Sequence, residues 1–229
     1  MSGDQLAADL AEAGRVLAAE GLVTAFGHVC ARRDATRLVI TPPHPLGSLR
    51  PTDTFAELDT RASDLPDAAP REAWIHLAVL RARPEAGAVC RAQPPVATSL
   101  AAGGVPITPL HGQGALLGPR VPVFDEAELI RDEARARRLA DALGPAPAVL
   151  MRGNGAVTVG ATVSEAVARM WVLEASARMR LTAGVGTPRP LSEREQDAWR
   201  RNDRELLARI WAWLRAASAP EANPTGRAS

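Results

Sequence analysis

Short apolar segments alternate with longer helical patterns along the whole chain, and this alternation most constrains the fold. Strand-like segments are 27–32, 37–40, 53–59, 86–91, 148–152 and 156–159. Helical spacing of apolar residues marks 4–20, 70–83, 95–102, 126–143, a long stretch from 164 onward, and 192–215. Mixed short strands and amphipathic helices predict an α/β protein. No repeat or linker divides the pattern, so we expect a single domain over residues 1–215 and a disordered tail over 216–229.

Composition and charge exclude several classes of partner. The net charge of +1 offers no electrostatic footprint for nucleic acid or an anionic membrane. No apolar run approaches the length of about 18 residues that marks a membrane-spanning helix, and the N-terminus lacks the pattern of a signal peptide. Two cysteines do not form a disulfide framework. We therefore expect a cytoplasmic protein that acts on a small molecule.

The chain contains no lysine and no tyrosine, since all 27 basic side chains are arginine. Schiff-base chemistry requires a lysine amine, which excludes class I aldolases and pyridoxal-phosphate enzymes. A phosphate-binding P-loop requires its lysine as well. Any proton transfer must therefore use histidine, glutamate, aspartate, cysteine or water.

Several short motifs occur in a characteristic order. They are Gly21-Leu22, Gly27-His28-Val29, Ile40-Thr41-Pro42, Pro70-x-Glu72-x-x-x-His76, Ala88-Val89 and the segment 150–160. In order and spacing the chain resembles the class II aldolase/adducin family over roughly residues 5–185. The resemblance implies a three-layer α/β/α sandwich with a mainly antiparallel central sheet. It also implies a homotetramer, often with active sites at subunit borders.

In that family three histidines, sometimes with a carboxylate, hold a divalent metal such as zinc or manganese. The resemblance places those histidine positions at Arg91, Gln93 and Asn154 of this chain. A guanidinium has no lone pair to offer a cation, and amide oxygens suit zinc poorly. We therefore expect no metal at these positions and no other cofactor. A rearranged metal site using His28, His111, Cys30 or Cys90 stays open as an alternative.

Arg91 and Glu72 are the main candidates for catalysis. Arg91 stands where the family has its metal and could bind a substrate carboxylate or developing enolate through paired hydrogen bonds. The alternative is an arginine that forms an ion pair with a nearby carboxylate and fills space. Glu72 matches the family's acid/base position, and proton donation would require burial to raise its pKa. The alternative is an ordinary glutamate in the first turn of a helix.

Five other polar residues are candidates for the same site or its surroundings. His28 could bind a substrate carboxylate or protonate a carbanion, or only make local hydrogen bonds. Gln93 and Asn154 could orient the substrate or only fill space, and Arg152 could help to anchor an anion. His111 lies in a glycine-rich loop that could be an active-site flap or an exposed turn.

His76 lies four positions after Glu72, on the same face of the predicted helix. We expect it to make a buried structural hydrogen bond.

The Gly27-His28 turn and the segment 109–118 resemble the decarboxylase-like and adducin-like branches more than the sugar-phosphate aldolases. The main prediction is a carbon–carbon lyase that removes CO2 non-oxidatively from a hydroxylated aromatic or related carboxylic acid. The replaced ligand positions favour a reaction without the family's metal. One alternative is an aldolase, epimerase or dehydratase with a rearranged metal site. The other is a non-catalytic, adducin-like binding or scaffold protein.

Overall fold

One mainly antiparallel sheet forms the centre of the protein in the computed structural model, which describes residues 3–185 and 187–219. In these residues the strands are β1 His28–Arg32, β2 Arg37–Ile40, β3 Ala56–Asp59, β4 Ala88–Ala92, β5 Val123–Phe124, β6 Ala148–Met151 and β7 Gly155–Gly160. Their order across the sheet is β3-β2-β1-β4-β7-β6-β5. Only β5 and β6 run parallel among the described strand pairs. The predicted α/β class and mainly antiparallel sheet are confirmed.

Helices cover both faces of this sheet. They are α1 Gly3–Ala19, α2 Ala73–Ala82, α3 Pro95–Ala102, α4 Glu133–Leu143, α5 Val163–Thr182, α6 Glu193–Arg200 and α7 Asp203–Ala217. Successive strand residues point to opposite faces, and each face has its own apolar core. Helices α1, α3, α5 and α7 pack on the face that carries Val29 and Cys90. Helices α2 and α4 pack on the face that carries Cys30 and Val89. The result is the expected α/β/α sandwich.

Three predicted helices differ from the observed ones, and the first of them, α2, begins at Ala73 rather than at 70. Helix α4 begins at Glu133 rather than at 126, because the Asp132 side chain accepts a hydrogen bond from the backbone N–H of Arg135 at 2.8 Å and caps the helix there. The predicted helix over 192–215 is two helices, which separate at Arg201 and Asn202. Asn202 has φ −112° and ψ 19°, outside the α-helical region.

The last helix, α7, ends at Ala217 and so enters the segment for which we expected a disordered tail. Residues 220–229 of that segment lie outside the described residues. No helix in the described part of the chain is long and apolar enough to cross a membrane.

The centre of the sheet brings the candidate residues together. In β4, Arg91 pairs with His28 of β1 on one side and with Val157 of β7 on the other. The turn before β7 needs glycine: Gly155 has φ +92°, and a Cβ there would lie 2.1 Å from the carbonyl oxygen of Ala92. This close approach of β7 to the end of β4 places Asn154 beside Arg91.

Candidate active site

Arg91 is buried within the sheet, with 3% of its surface exposed. Its Nη2 donates to the side-chain oxygen of Asn154 at 2.7 Å and to the backbone oxygen of Asn154 at 3.2 Å. Its Nε is buried and has no hydrogen-bond partner among the described residues. Burial lowers the pKa of the guanidinium, and the negative charge of Glu72 opposes this shift. Arginine nevertheless stays protonated in proteins, so Arg91 is a buried cation paired with an amide rather than with a carboxylate.

Glu72 lies at the N-cap position of α2, with 15% of its side chain exposed. Arg131 donates from Nε to Oε1 of Glu72 at 2.8 Å. Burial raises the pKa of Glu72, but the hydrogen bond from Arg131, a backbone N–H and the charge of Arg131 together bring it below its usual value. Burial acts in the direction that proton donation would require, but these interactions outweigh it. Glu72 is therefore a carboxylate at neutral pH.

His28 and His76 complete the cluster of polar side chains around Arg91 and Glu72. Their rings meet edge to face, with centroids 6.3 Å apart and planes at 77°. Burial, followed by the charge of Arg91, lowers the pKa of His28 to about 4, although Glu72 acts in the opposite direction. Burial lowers the pKa of His76 well below its usual value, with further contributions from His28 and Arg91. Both imidazoles are therefore neutral at neutral pH.

His76 does not make the buried hydrogen bond that we expected from the sequence. The side chain is fully buried, yet neither of its ring nitrogens has a partner in the described part of the chain. His76 nevertheless belongs to this cluster, because it lies one helical turn after Glu72 on α2 and contacts His28.

Gln93 directly follows β4 and remains partly exposed. Its backbone N–H donates to the carbonyl oxygen of Leu22 at 2.9 Å. Its side-chain amide makes no hydrogen bond with the described residues, so it is available to a ligand near the end of β4.

Arg152 and His111 are not brought into the cluster by this chain. Arg152 is 43% exposed and pairs with Asp125 at the surface. Nε2 of His111 lies 2.9 Å from the hydroxyl of Ser176, which belongs to α5, on the opposite face of the sheet. The glycine-rich loop is also packed rather than free, because Gly112 lies against the indole of Trp199, where a Cβ would come within 2.0 Å.

Arg131 is the site residue that sequence reasoning missed. It precedes α4 in a segment that we expected to be helical, 59 positions from Glu72 in the chain. Nothing in the sequence distinguishes Arg131 from the other exposed arginines of the chain. Only the packing of α4 against α2 brings it to Glu72.

The residues present do not fit the family's divalent metal. The Asn154 amide oxygen already accepts a hydrogen bond from Arg91, whose charge opposes a cation beside it. The described residues contain no group of three or more histidine, cysteine, aspartate or glutamate side chains arranged to hold a metal. A rearranged site through Cys30 and Cys90 fits poorly, because the two side chains enter opposite cores and burial raises the pKa of each thiol to about 12.

Comparison with known proteins agrees with this architecture. The profile of the class II aldolase and adducin N-terminal domain matches residues 8–181, so the chain belongs to that family. A solved structure of L-fuculose 1-phosphate aldolase from Glaciozyma antarctica PI12 superposes with a TM-score of 0.77 at 19% identity, covering 93% of this chain and 89% of that one. The L-fuculose-1-phosphate aldolase of Thermus thermophilus gives a TM-score of 0.70 at 30% identity, with coverages of 80% and 98%.

Among curated proteins, similar sequences are decarboxylases. The 3,4-dihydroxyphthalate decarboxylase of Terrabacter sp. (strain DBF63) is 33% identical over 187 residues, with coverages of 75% of this chain and 78% of that protein. The enzyme of the same name from Rhodococcus jostii (strain RHA1) is 31% identical over 193 residues, with coverages of 75% and 77%. The predicted membership of the decarboxylase-like branch is confirmed, and with it the lyase class.

Proposed function

We propose that the protein removes CO2 non-oxidatively from a hydroxylated aromatic carboxylic acid, without using a divalent metal. The observation that carries this proposal is the buried, carboxylate-free guanidinium of Arg91 at the family's metal position. The curated relatives named 3,4-dihydroxyphthalate decarboxylase support the substrate class. The fold alone does not decide the reaction, because the same fold serves sugar-phosphate aldolases.

In this proposal Arg91 holds the anionic substrate. Its Nη1 makes no hydrogen bond with the described residues and can donate to a carboxylate or phenolate oxygen, while Nη2 remains fixed by Asn154. A cation in a water-poor interior interacts with an anion far more strongly than it would in water. Asn154 orients the guanidinium, and Gln93 supplies a neutral hydrogen bond at the open side of the site.

In this proposal Glu72 transfers a proton from a ring hydroxyl to the ring carbon that loses CO2. As a carboxylate it first takes the proton of a ring hydroxyl that lies ortho or para to the leaving carboxylate, which raises electron density at the carbon bearing that carboxylate. The same carboxyl group then delivers the proton to that carbon. The bond to the carboxylate breaks, CO2 leaves, and the bonding electrons restore the aromatic ring. The remaining phenolate takes one proton from water, so the reaction consumes one proton in total.

This residue set suits decarboxylation better than aldol cleavage. A hydroxylated ring holds the developing charge in its own π system, with Arg91 as the only external cation that the proposal requires. Retro-aldol cleavage of a sugar phosphate depends more on a Lewis acid, and the residues at the family's ligand positions do not fit a metal. The chain also lacks the tyrosine that some aldolases of the family use as a proton donor.

The test is an assay of the full chain with 3,4-dihydroxyphthalate and dihydroxybenzoates, with CO2 release and metal content measured together. We expect release of CO2 from a hydroxylated acid and none from phthalate or benzoate, which have no hydroxyl to stabilise the intermediate. Treatment with a chelator should leave the rate unchanged. Loss of activity in chelator, restored by zinc or manganese, would contradict the metal-free proposal. Binding of these acids without any turnover would instead favour a non-catalytic, adducin-like role.

We also propose that the enzyme works as a homotetramer in the cytoplasm, as the family resemblance implies. Large apolar side chains on the surface of the single chain support self-association, because they would be covered in an oligomer. They include Phe26 (63% exposed), Leu181 (60%) and Trp213 (52%). Analytical ultracentrifugation measures the number of subunits directly.

A further inference from the structure

Unpaired polar atoms in the described interior are concentrated behind the candidate active site. Six buried side-chain atoms of the described residues lack a hydrogen-bond partner, and four of them belong to His28, His76 and Arg91. They are Nδ1 of His28, both ring nitrogens of His76 and Nε of Arg91. A buried polar group without a partner costs about 1–3 kcal/mol, so such a concentration requires an explanation.

These three side chains are neighbours in the fold. His28 and Arg91 are paired across β1 and β4, and the His28 and His76 ring centroids are 6.3 Å apart. The two rings make no direct hydrogen bond. A bridging water links two polar atoms through hydrogen bonds of about 2.8 Å each, so it can join neighbouring groups that do not bond each other directly. Buried waters in proteins typically make about three hydrogen bonds to otherwise unpaired groups.

We propose that a buried water molecule is bound by Nδ1 of His28, a ring nitrogen of His76 and Nε of Arg91, and that His76 acts through this water to fix the tautomer of His28. Arginine can only donate, so the water must accept from Nε of Arg91. In the proposed arrangement the water donates its two hydrogens to the imidazoles and leaves its second lone pair free. Nδ1 of His28 is therefore an acceptor, and the ring proton resides on Nε2.

The fixed tautomer gives His28 a defined part in the reaction. With Nδ1 directed to the interior, Nε2–H is the group left to face a ligand. A neutral, preorganised N–H donor can stabilise negative charge on a substrate oxygen without transferring a proton. His28 then supports the phenolate while Glu72 moves the proton, and His76 is a positioning residue. This catalytic role rests on the proposed decarboxylation, whereas the hydrated cluster does not.

The first test does not need turnover. The full chain labelled with ¹⁵N-histidine has four imidazoles to assign, and nitrogen shifts at neutral pH identify the tautomer of each. We expect His28 to be neutral and protonated only on Nε2, and a mixture of tautomers in H76F. The control is H44F, which changes an exposed histidine and should leave the His28 signals unchanged.

Protonation of wild-type His28 on Nδ1 would overturn the proposal, as would a crystal structure without a solvent peak among the three side chains. Either wild-type measurement decides the question even if H76F does not fold.

The second test measures the rate. In H76F we expect kcat to fall about tenfold, with KM changed less than about twofold because Arg91 still binds the carboxylate. The variant H76Q, which can still bind a water, should recover part of kcat. An unchanged kcat in H76F would overturn the positioning role. If the wild-type protein turns over no hydroxylated acid, the proposed function fails while the nuclear magnetic resonance result still decides the hydrated cluster.

Discussion

Two buried charges on opposite faces of the same sheet have different surroundings. Glu174 of α5 is 3% exposed, and its carboxylate accepts from the backbone N–H groups of Val96 and Ala97 at 3.1 and 3.0 Å, and from Arg178 at 3.1 Å. Arg91 is equally buried but is bound only by Asn154, and its Nε is unpaired among the described residues. The satisfied charge fixes the start of α3, whereas the guanidinium of Arg91 keeps donors beyond those used by Asn154 and is available to a ligand. Burial alone therefore does not distinguish a structural charge from a functional one.

The largest effect should follow from R91M, which keeps the length of the side chain but removes its charge. We expect kcat/KM for a hydroxylated aromatic acid to fall by roughly 10²–10³, the scale seen when a group that stabilises transition-state charge is removed. The free energy of unfolding should change by no more than about 2 kcal/mol, because loss of a desolvated cation offsets loss of the hydrogen bonds to Asn154. Steady-state kinetics and urea denaturation measure the two quantities.

The R91K variant is the matched control, since it keeps the charge but not the planar fork that donates to Asn154 and a ligand together. Its rate should lie between those of the wild type and R91M. A severe loss of stability in R91M with nearly normal kinetics would mean that Arg91 is structural, and the contrast with Glu174 would disappear.

The opposite pattern is expected for E174Q. A neutral amide cannot accept all the hydrogen bonds that the carboxylate receives at the start of α3, so the free energy of unfolding should fall by about 1–3 kcal/mol. The kcat/KM of the folded protein should stay within about threefold of the wild-type value. Urea denaturation and kinetics below the unfolding transition test this expectation, and a loss of rate without a loss of stability would contradict it.

A smaller effect, visible in the pH dependence, should follow from R131Q. Arg131 holds the pKa of Glu72 below its usual value, so its removal raises that pKa. Because Glu72 must be a carboxylate to accept the first proton, the acid side of the kcat/KM profile should move to higher pH. R137Q, which changes an arginine that is 69% exposed on α4 and pairs with Glu133, should leave the profile in place. An unmoved acid limb in R131Q would show that Glu72 is not the base.

The sequence predicted the parts of the fold that local chemistry determines. Helix α3 has its predicted bounds, because Pro95 suits a first helical turn and Gly103 follows the last helical residue. The predicted start of α4 was wrong, because apolar residues at helical spacing continue before Asp132, where the helix is capped. Apolar spacing alone does not reveal which of several polar residues caps a helix.

The candidate site was predictable in position but not in electrostatics. Motif resemblance identified the positions of Glu72, Arg91 and Asn154, which the fold brings together through α2, β4 and the turn before β7. The downward pKa shift of Glu72 depends on Arg131, which is distant in sequence. Likewise, the unpaired nitrogens of His76 result from the packing of α2 on the sheet. Sequence patterns contain no information on such long-range pairings.

The close crossing at Gly155 also limits how this site can change. Because β7 approaches the end of β4 closely at Gly155, any side chain at position 154 is held next to the guanidinium of Arg91. A histidine introduced at 154 alone would face a fixed positive charge and could not recruit a cation. Conversion to a metal-dependent state therefore requires that Arg91 be replaced before, or together with, Asn154.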